Sequence, residues 1–252
     1  YMWCNDSSCN LASINVLKFY DPETETFDIA LFRNIVELVI TAQDIIVDGA
    51  TYPTEKIDEN TKAYRALGLG YTNMGALLMR MKLPYNSEDG RNVAKAITAL
   101  MQAVAIETSY DLAKKLGSYK MFTVNNNKKY HKEVLMRQFE EHLIPFWKDV
   151  KENDNKRPNN IIKPLVETAR LLYRNYVVEI DDENFMQRNA QLTLLAPTGT
   201  ISFIMGAETT GIEPDYSIVK YKTKQYGSNI KIVDIDKSSQ TDDQRELKGL
   251  WE

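Results

Sequence analysis

A thiol and a hydroxyl-rich turn are the two places where this sequence could do chemistry. The turn lies in Leu194, Leu195, Ala196, Pro197, Thr198, Gly199, Thr200, Ile201, Ser202, Phe203 and Ile204, where one apolar stretch runs through a Thr/Gly turn into another. Such a turn aims successive backbone N–H groups and hydroxyls at one point, and a following helix adds the positive end of its dipole. That is the physics of a phosphate cradle. Pro197 ends the strand, Thr198, Thr200 and Ser202 offer hydroxyl donors, and Gly199 lets the main chain approach an anion. A well-capped helix with no ligand would read the same way. Cys9 stands directly before Asn10, Leu11, Ala12, Ser13, Ile14 and Asn15. A thiol exchanges electrons in pairs, but cysteine is also commonly buried as a small hydrophobe. A third stretch, Gly211, Ile212, Glu213 and Pro214, follows the turn closely. Glu213 reads as structural, since a carboxylate beside a phosphate pocket repels the ligand unless turned away.

The elements that must position these groups follow from periodicity. Residues 1–8 read as a loop, and 11–19 mix β-branched and apolar residues as a strand does. Asp28 stands at a helix cap, with Phe32, Ile35, Val36, Val39, Ala42 and Ile46 at helical spacing and Gly49 closing. A polar connection containing Pro53 leads to residues 65–71. Gly68, Gly70 and Gly75 do not match a dinucleotide loop, because the spacing is G-x-G-x-x-x-x-G; close approach of backbone segments explains them better. A short helix is expected over 74–81. Ser87 caps a long helix with Glu88 and Asp89 in its first turn, a buried stripe through Val93, Ile97, Leu100, Met101, Val104 and Leu112, and Gly117 at its end. A helical run at 130–146 sits within a charged region, 151–160 reads as a solvated loop, and 164–173 is helical with Leu165, Ala169, Leu172 and Tyr173 inward. Residues 191–196 form the strand into the turn, 216–221 and 229–235 a final hairpin, and 236–252 a mobile polar tail. Helices alternating with short strands give an α/β class.

With 252 residues, 43% of them hydrophobic, the chain can bury a large core, and a net charge of −4 argues against a nonspecific nucleic-acid binder. No apolar run reaches the ~20 residues of a membrane helix. The cysteines, Cys4 and Cys9, make no secreted disulfide framework, and with His131 and His142 they match no zinc spacing, so no metal site is expected and a reducing cytoplasm is the simplest compartment. The chain starts at Tyr1 rather than Met and reads as a piece of something longer.

Taken together, the Pro197–Ser202 turn, Gly211 to Pro214, and Cys9 with the residues after it resemble the catalytic chain of ribonucleotide reductase, in particular its adenosylcobalamin-dependent class. Arg65, Ala66, Leu67, Gly68, Leu69, Gly70, Tyr71, Thr72, Asn73, Met74 and Gly75 are similar to the family too, as are Leu83 to Ser87 and Arg188 to Gln191. The likeness runs from Tyr1 to about Asp234, with residues 1–235 as one unit, and weakens at Gly227, Ser228 and Asn229, where the family tends to have a glycine run.

The resemblance implies a helix-rich α/β fold that is part of a ten-stranded barrel. It implies that Pro197, Thr198, Gly199, Thr200, Ile201 and Ser202 hold the phosphates of a ribonucleoside di- or triphosphate. Cys9 becomes one of a cysteine pair that reduces the ribose for DNA synthesis, recharged by a thioredoxin-like or other dithiol. Adenosylcobalamin is the implied cofactor, and a homodimer is compatible with the family. The partner of Cys9 is expected upstream, with Cys4 as an incidental thiol. The family's radical cysteine, in an Asn-x-Cys-x-Glu motif, would precede Tyr1, so this piece alone is expected to be inactive. Two rival readings are the large subunit of a diiron-dependent reductase and a nucleotide-phosphate binding module without redox function.

Overall fold

The structure is a computed structural model that describes residues 4–153 and 158–215, and the backbone of two later strands, Lys222–Tyr226 and Asn229–Val233. Strand β1 (Asn10–Asn15) passes through a 3-10 turn, Val16–Phe19, into a short hairpin of β2 (Tyr20–Asp21) and β3 (Thr26–Phe27). Helix α1 (Ile29–Gly49) follows, capped by the Asp28 side chain, which accepts the Leu31 N–H at 2.9 Å. Helix α2 (Glu55–Tyr64) leads to β4 (Leu67–Thr72), which lies parallel to β1 with Asn10 opposite Leu67 and Asn15 opposite Thr72. A parallel pair needs a crossover of this length, and α1 with α2 supplies it.

Strand β4 alternates for a reason. Leu67, Leu69 and Tyr71 are fully buried, and Tyr71 reaches Thr98 on α4 (Glu88–Leu116) through hydroxyls 2.9 Å apart. Gly68, Gly70 and Thr72 occupy the opposite face, since side chains alternate along a strand. Helix α3 (Met74–Arg80) follows β4. In α4, Ser87 caps the start by accepting the Gly90 N–H, and Gly117 ends it at φ 83°. Of its expected stripe, Val93, Ile97, Leu100, Met101 and Val104 are buried and Leu112 is only half-buried. Helix α7 (Asn159–Tyr173) packs Leu165, Ala169, Leu172 and Tyr173 into the same core.

Several expectations need correction. The residues after Pro53 are not a plain connection: Thr54 accepts the Ile57 N–H and starts α2, a polar helix that buries Thr61. The α1 stripe is rotated, burying Ile40 and Val47 while Ala42 and Ile46 face out. Bringing Gln43 and Asp44 inward, to bond Asn10 and Arg65, sets that rotation. The expected 130–146 helix is α5 (Asn127–Arg137), a π turn (Gln138–Leu143) and α6 (Ile144–Glu152); Pro145 lacks the N–H that would continue a regular ladder. The 151–160 loop shrinks, because α6 runs to Glu152 and α7 starts at Asn159.

Residues 191–196 are extended but make a single bridge, Thr193 to Leu69. Leu67 N–H bonds Gln191 O and Leu69 N–H bonds Leu192 O, so two residues of β4 span one of this segment and the register slips. A tight turn from Leu194 O to Ala196 N–H then bends the chain away. Among the described residues the sheets are pairs and no closed barrel is seen. The hairpin is β5 (Lys222–Tyr226) with β6 (Asn229–Val233), so its first strand lies after the expected 216–221, which falls outside the described residues, as does the expected 236–252 tail.

His131 on α5 is enclosed by the rings of Tyr119, Phe122 and Phe185, with centroids 6.1, 6.3 and 6.1 Å away. Desolvation lowers its pKa from 6.5 to about 4. A depressed folded value means that the unfolded chain takes the proton first. The stabilisation is therefore present above pH 6.5 and lost as pH falls through 6.5 toward 4, by up to about 3 kcal/mol. His131→Phe should flatten much of the stability loss across that window in urea unfolding; an undiminished pH dependence would exclude His131 as its source.

Candidate functional site

The glycine face of β4 brings the sequence-predicted groups together. A Cβ placed on Gly68 would lie 3.1 Å from Cys9 Sγ, 3.4 Å from Leu194 Cβ and 2.5 Å from Leu11 Cδ2. One placed on Gly70 would lie 2.5 Å from Leu194 O. At Thr72, on the same face, the Thr198 hydroxyl donates to the Thr72 hydroxyl at 3.0 Å. Cys9 and the Thr198 turn are thus aligned along one side of a single strand. Four residues separate their contact points, about 13 Å at ~3.3 Å per residue.

Close backbone approach, expected for all three glycines, holds at Gly70 and at Gly75, where a Cβ would lie 2.8 Å from Glu213 O, whereas the neighbours of Gly68 are side chains. At Gly68 the nearest obstacle is the end of a mobile leucine. At Gly70 it is a carbonyl fixed in the main chain, which cannot swing aside. Gly70→Ala should therefore destabilise the protein by about 1–3 kcal/mol and displace residues 193–196, read as a lower melting temperature; an unchanged value would refute the contact.

The turn itself is built from the inside. Thr198 is 2% exposed, and its Oγ1 accepts the Gly211 N–H at 2.5 Å while giving its proton to Thr72. Thr72 passes its own proton to Thr209 O at 2.8 Å. Helix α8 (Gly199–Ile204) begins here, with its first regular bond from Ser202 N–H to Thr198 O. Ser202 is buried and donates to Gly199 O at 2.6 Å. The hydroxyl protons of Thr198 and Ser202 are therefore spent within the protein. Pro197, Gly199, Thr200 and Ile201 are exposed, and a Cβ on Gly199 would meet nothing within 4 Å. What the turn offers outward is the Thr200 hydroxyl and the amides of the first turn of α8.

A second polar group anchors the approach to the turn. Arg65, in the left-handed region at φ 52°, donates from Nε to Asp44 Oδ1 at 2.8 Å and from Nη1 to Asp48 Oδ1 at 2.6 Å. That guanidinium holds the Asp48 carboxyl below its ordinary pKa. Arg188 Nε bonds the other Asp44 oxygen at 3.2 Å, and Asn189 Nδ2 bonds Asp44 Oδ1 at 2.7 Å. Ser109 on α4 closes the group by donating to Asn189 Oδ1. The residues just before 191–196 are thus clamped to α1 and α4.

Glu213 turns its Oε2 into a buried position with no donor, beside Gly211, where a Cβ would come within 2.5 Å of it. Cys4 and Cys9 are not bonded to each other. A cavity of about 1230 Å³ lies elsewhere, between α4, α5 and residues 190–193, and none of residues 197–202 lines it. No helix among the described residues is long and apolar enough to cross a membrane.

Over residues 1–246 the chain matches the family described as ribonucleotide reductase, barrel domain. The chain belongs to that family. Relatives at the level of single proteins agree with this ribonucleotide reductase assignment. A vitamin B12-dependent ribonucleotide reductase of Streptomyces clavuligerus is 40% identical over 237 residues, covering 92% of this chain and 23% of the relative. One of Rhodopirellula baltica is 41% identical over 233 residues, covering 92% and 21%. The ribonucleoside-diphosphate reductase large chain of Cryptosporidium parvum is 28% identical over 115 residues, covering 46% of this chain. The chain therefore spans about a quarter or less of these two B12-dependent relatives.

Reading the sequence missed Thr72, Asn73 and Thr209 as the residues under the turn, and Asp44 as the hub of the Arg65 group. A polar residue at the end of an apolar strand was the available signal for Thr72. An aspartate on the inward stripe of α1 was the signal for Asp44.

Proposed function

We propose that the intact protein reduces ribonucleotides to 2′-deoxyribonucleotides, and that this chain contributes the substrate-phosphate turn, Pro197 to Ser202, and one reducing thiol, Cys9. The observation that carries this reading is the alignment of Cys9 and the turn on one face of β4. Their separation is on the scale of a nucleotide, so a substrate anchored by its phosphates lays its sugar toward the thiol. Strands β1 and β4 and residues 191–196 are then neighbours in a ten-stranded barrel whose other strands come from the rest of the intact protein.

The phosphate is held by the first-turn amides of α8 and the Thr200 hydroxyl, with Gly199 keeping the approach open. The net chemistry balances with a second thiol from elsewhere in the intact protein. Two S–H bonds give one S–S bond, the C2′–O bond breaks, one hydrogen goes to C2′, and the oxygen leaves as water. A thioredoxin-like dithiol in a reducing cytoplasm then reopens the disulfide by exchange.

Adenosylcobalamin is the cofactor we assign to the intact protein, on the strength of the relatives' names; when bound it supplies the radical that makes the 2′-hydroxyl removable. Neither histidine is assigned to it: His131 packs against the Tyr119, Phe122 and Phe185 rings and lines the cavity beside α4 together with the exposed His142 of the π turn. The large-subunit reading has weaker support, since the relative named as a reductase large chain matches less than half of this chain. The test is deoxyribonucleotide formation by the intact protein with adenosylcobalamin and a dithiol. Product that depends on both is expected; product made without cobalamin, or none with it, overturns the reading.

A further inference from the structure

A threonine that begins a helix ordinarily turns its hydroxyl back onto the N–H two or three residues on, closing the amides of the first turn. Thr198 does not: it makes no such bond to α8. Its Oγ1 is held instead between the Gly211 N–H and the Thr72 hydroxyl, and Thr72 is held in turn by Thr209 O. The direction of each bond is fixed. Thr72 must donate to the carbonyl, since a carbonyl cannot donate, so Thr198 must donate to Thr72. The whole relay is out of water, with Thr72 at 0%, Thr198 at 2% and Thr209 at 3% exposure.

Asn73 fixes the far side of the same relay. At φ 71° it accepts the Glu208 and Thr209 N–H groups at 2.8 and 2.9 Å on its Oδ1, and donates from Nδ2 to Asn15 Oδ1 at 3.0 Å. The Thr209 carbonyl that receives the Thr72 proton therefore cannot drift from the end of β4.

From this geometry we propose that Thr72 is a positioning residue for the phosphate turn: by engaging the Thr198 hydroxyl from below, it keeps that hydroxyl from capping α8 and leaves the turn's amides open to the substrate's phosphate. Thr72 touches no substrate; it acts through Thr198. This rests on the assignment of residues 197–202 as the phosphate site.

The test measures ribonucleotide affinity in the intact protein for Thr72→Val, Thr72→Ser and Gly199→Val. Valine keeps the shape but removes the hydroxyl, leaves Thr198 held only by the Gly211 N–H and so able to turn toward α8, and leaves Thr209 O without its donor. Affinity should fall roughly tenfold, the scale of one uncompensated buried hydrogen bond. Serine restores the hydroxyl and should restore affinity. Ile97→Val, in the α4 core away from the turn, serves as a destabilised control and should bind normally. Thr72→Val binding as the original does, while Gly199→Val binds weakly, would overturn the positioning role and leave the phosphate site standing. Unchanged binding in both would remove the phosphate site itself. Failure of Thr72→Ser to recover would show that packing, not the relay, is what Thr72 supplies.

Discussion

Cys9→Ser in the intact protein is expected to abolish multiple-turnover reduction with an external dithiol while ribonucleotide binding persists. Serine is close in size and accepts and donates hydrogen bonds, so β1 should keep its pairing with β4. What it cannot do is form an S–S bond, so the two-electron reduction loses one of its two thiols. The thiol's surroundings suit the role: just before β1, its Sγ lies 3.1 Å from where a Cβ on Gly68 would stand, and the absence of a side chain there leaves it room. A single turnover driven by electrons already stored would be lost as well. Undiminished turnover would take Cys9 out of the reaction and leave it a half-buried packing residue.

Asp44→Ala is the substitution expected to cost most stability. The Asp44 side chain is 4% exposed and meets Arg65, Arg188 and Asn189. Removing it leaves the Arg65 guanidinium, itself 5% exposed, with Asp48 and the Asp44 main-chain carbonyl, and leaves the Asn189 amide with only the Arg65 carbonyl. Breaking a buried pair by deleting one partner costs about 3–5 kcal/mol. Residues 188–189 would lose their closest ties to α1, keeping only the longer Arg188–Asp48 pair, so the phosphate turn should bind nucleotide more weakly even below the melting transition. Chemical denaturation and a nucleotide titration on the same variant check both. A loss under about 1 kcal/mol, the scale of an exposed ion pair, would contradict the assignment of Asp44 as a buried hub.

Where the local signal was strong, the sequence sufficed. Ser87, Glu88, Asp89 and Gly117 bracket α4 because caps and dipole act within one turn of the chain. The spacing of Gly68 and Gly70 pointed to close backbone approach, and Leu194 O proves to be the neighbour at Gly70. Helix α2 was hidden because its residues are nearly all polar, leaving a cap at Thr54 but no apolar stripe. The strand at 191–196 looked regular because its residues alternate, yet register depends on what β4 offers across the gap. The site followed the same division. Cys9 and residues 197–202 were legible as short motifs. The relay through Thr72, Asn73 and Thr209 joins residues far apart in the chain, and only the fold brings them together.

The account stands on one assignment, that the turn after Ala196 holds a phosphate. Its most direct test compares the binding of a ribonucleotide with that of the matching phosphate-free ribonucleoside, in the intact protein and in Gly199→Val. The space beside Gly199 is open, so valine fits the protein and crowds only a ligand. The original protein should bind the nucleotide far more tightly than the nucleoside, and Gly199→Val should erase most of that difference while leaving nucleoside binding and stability in place. Equal preference for the nucleotide in both proteins would contradict the assignment.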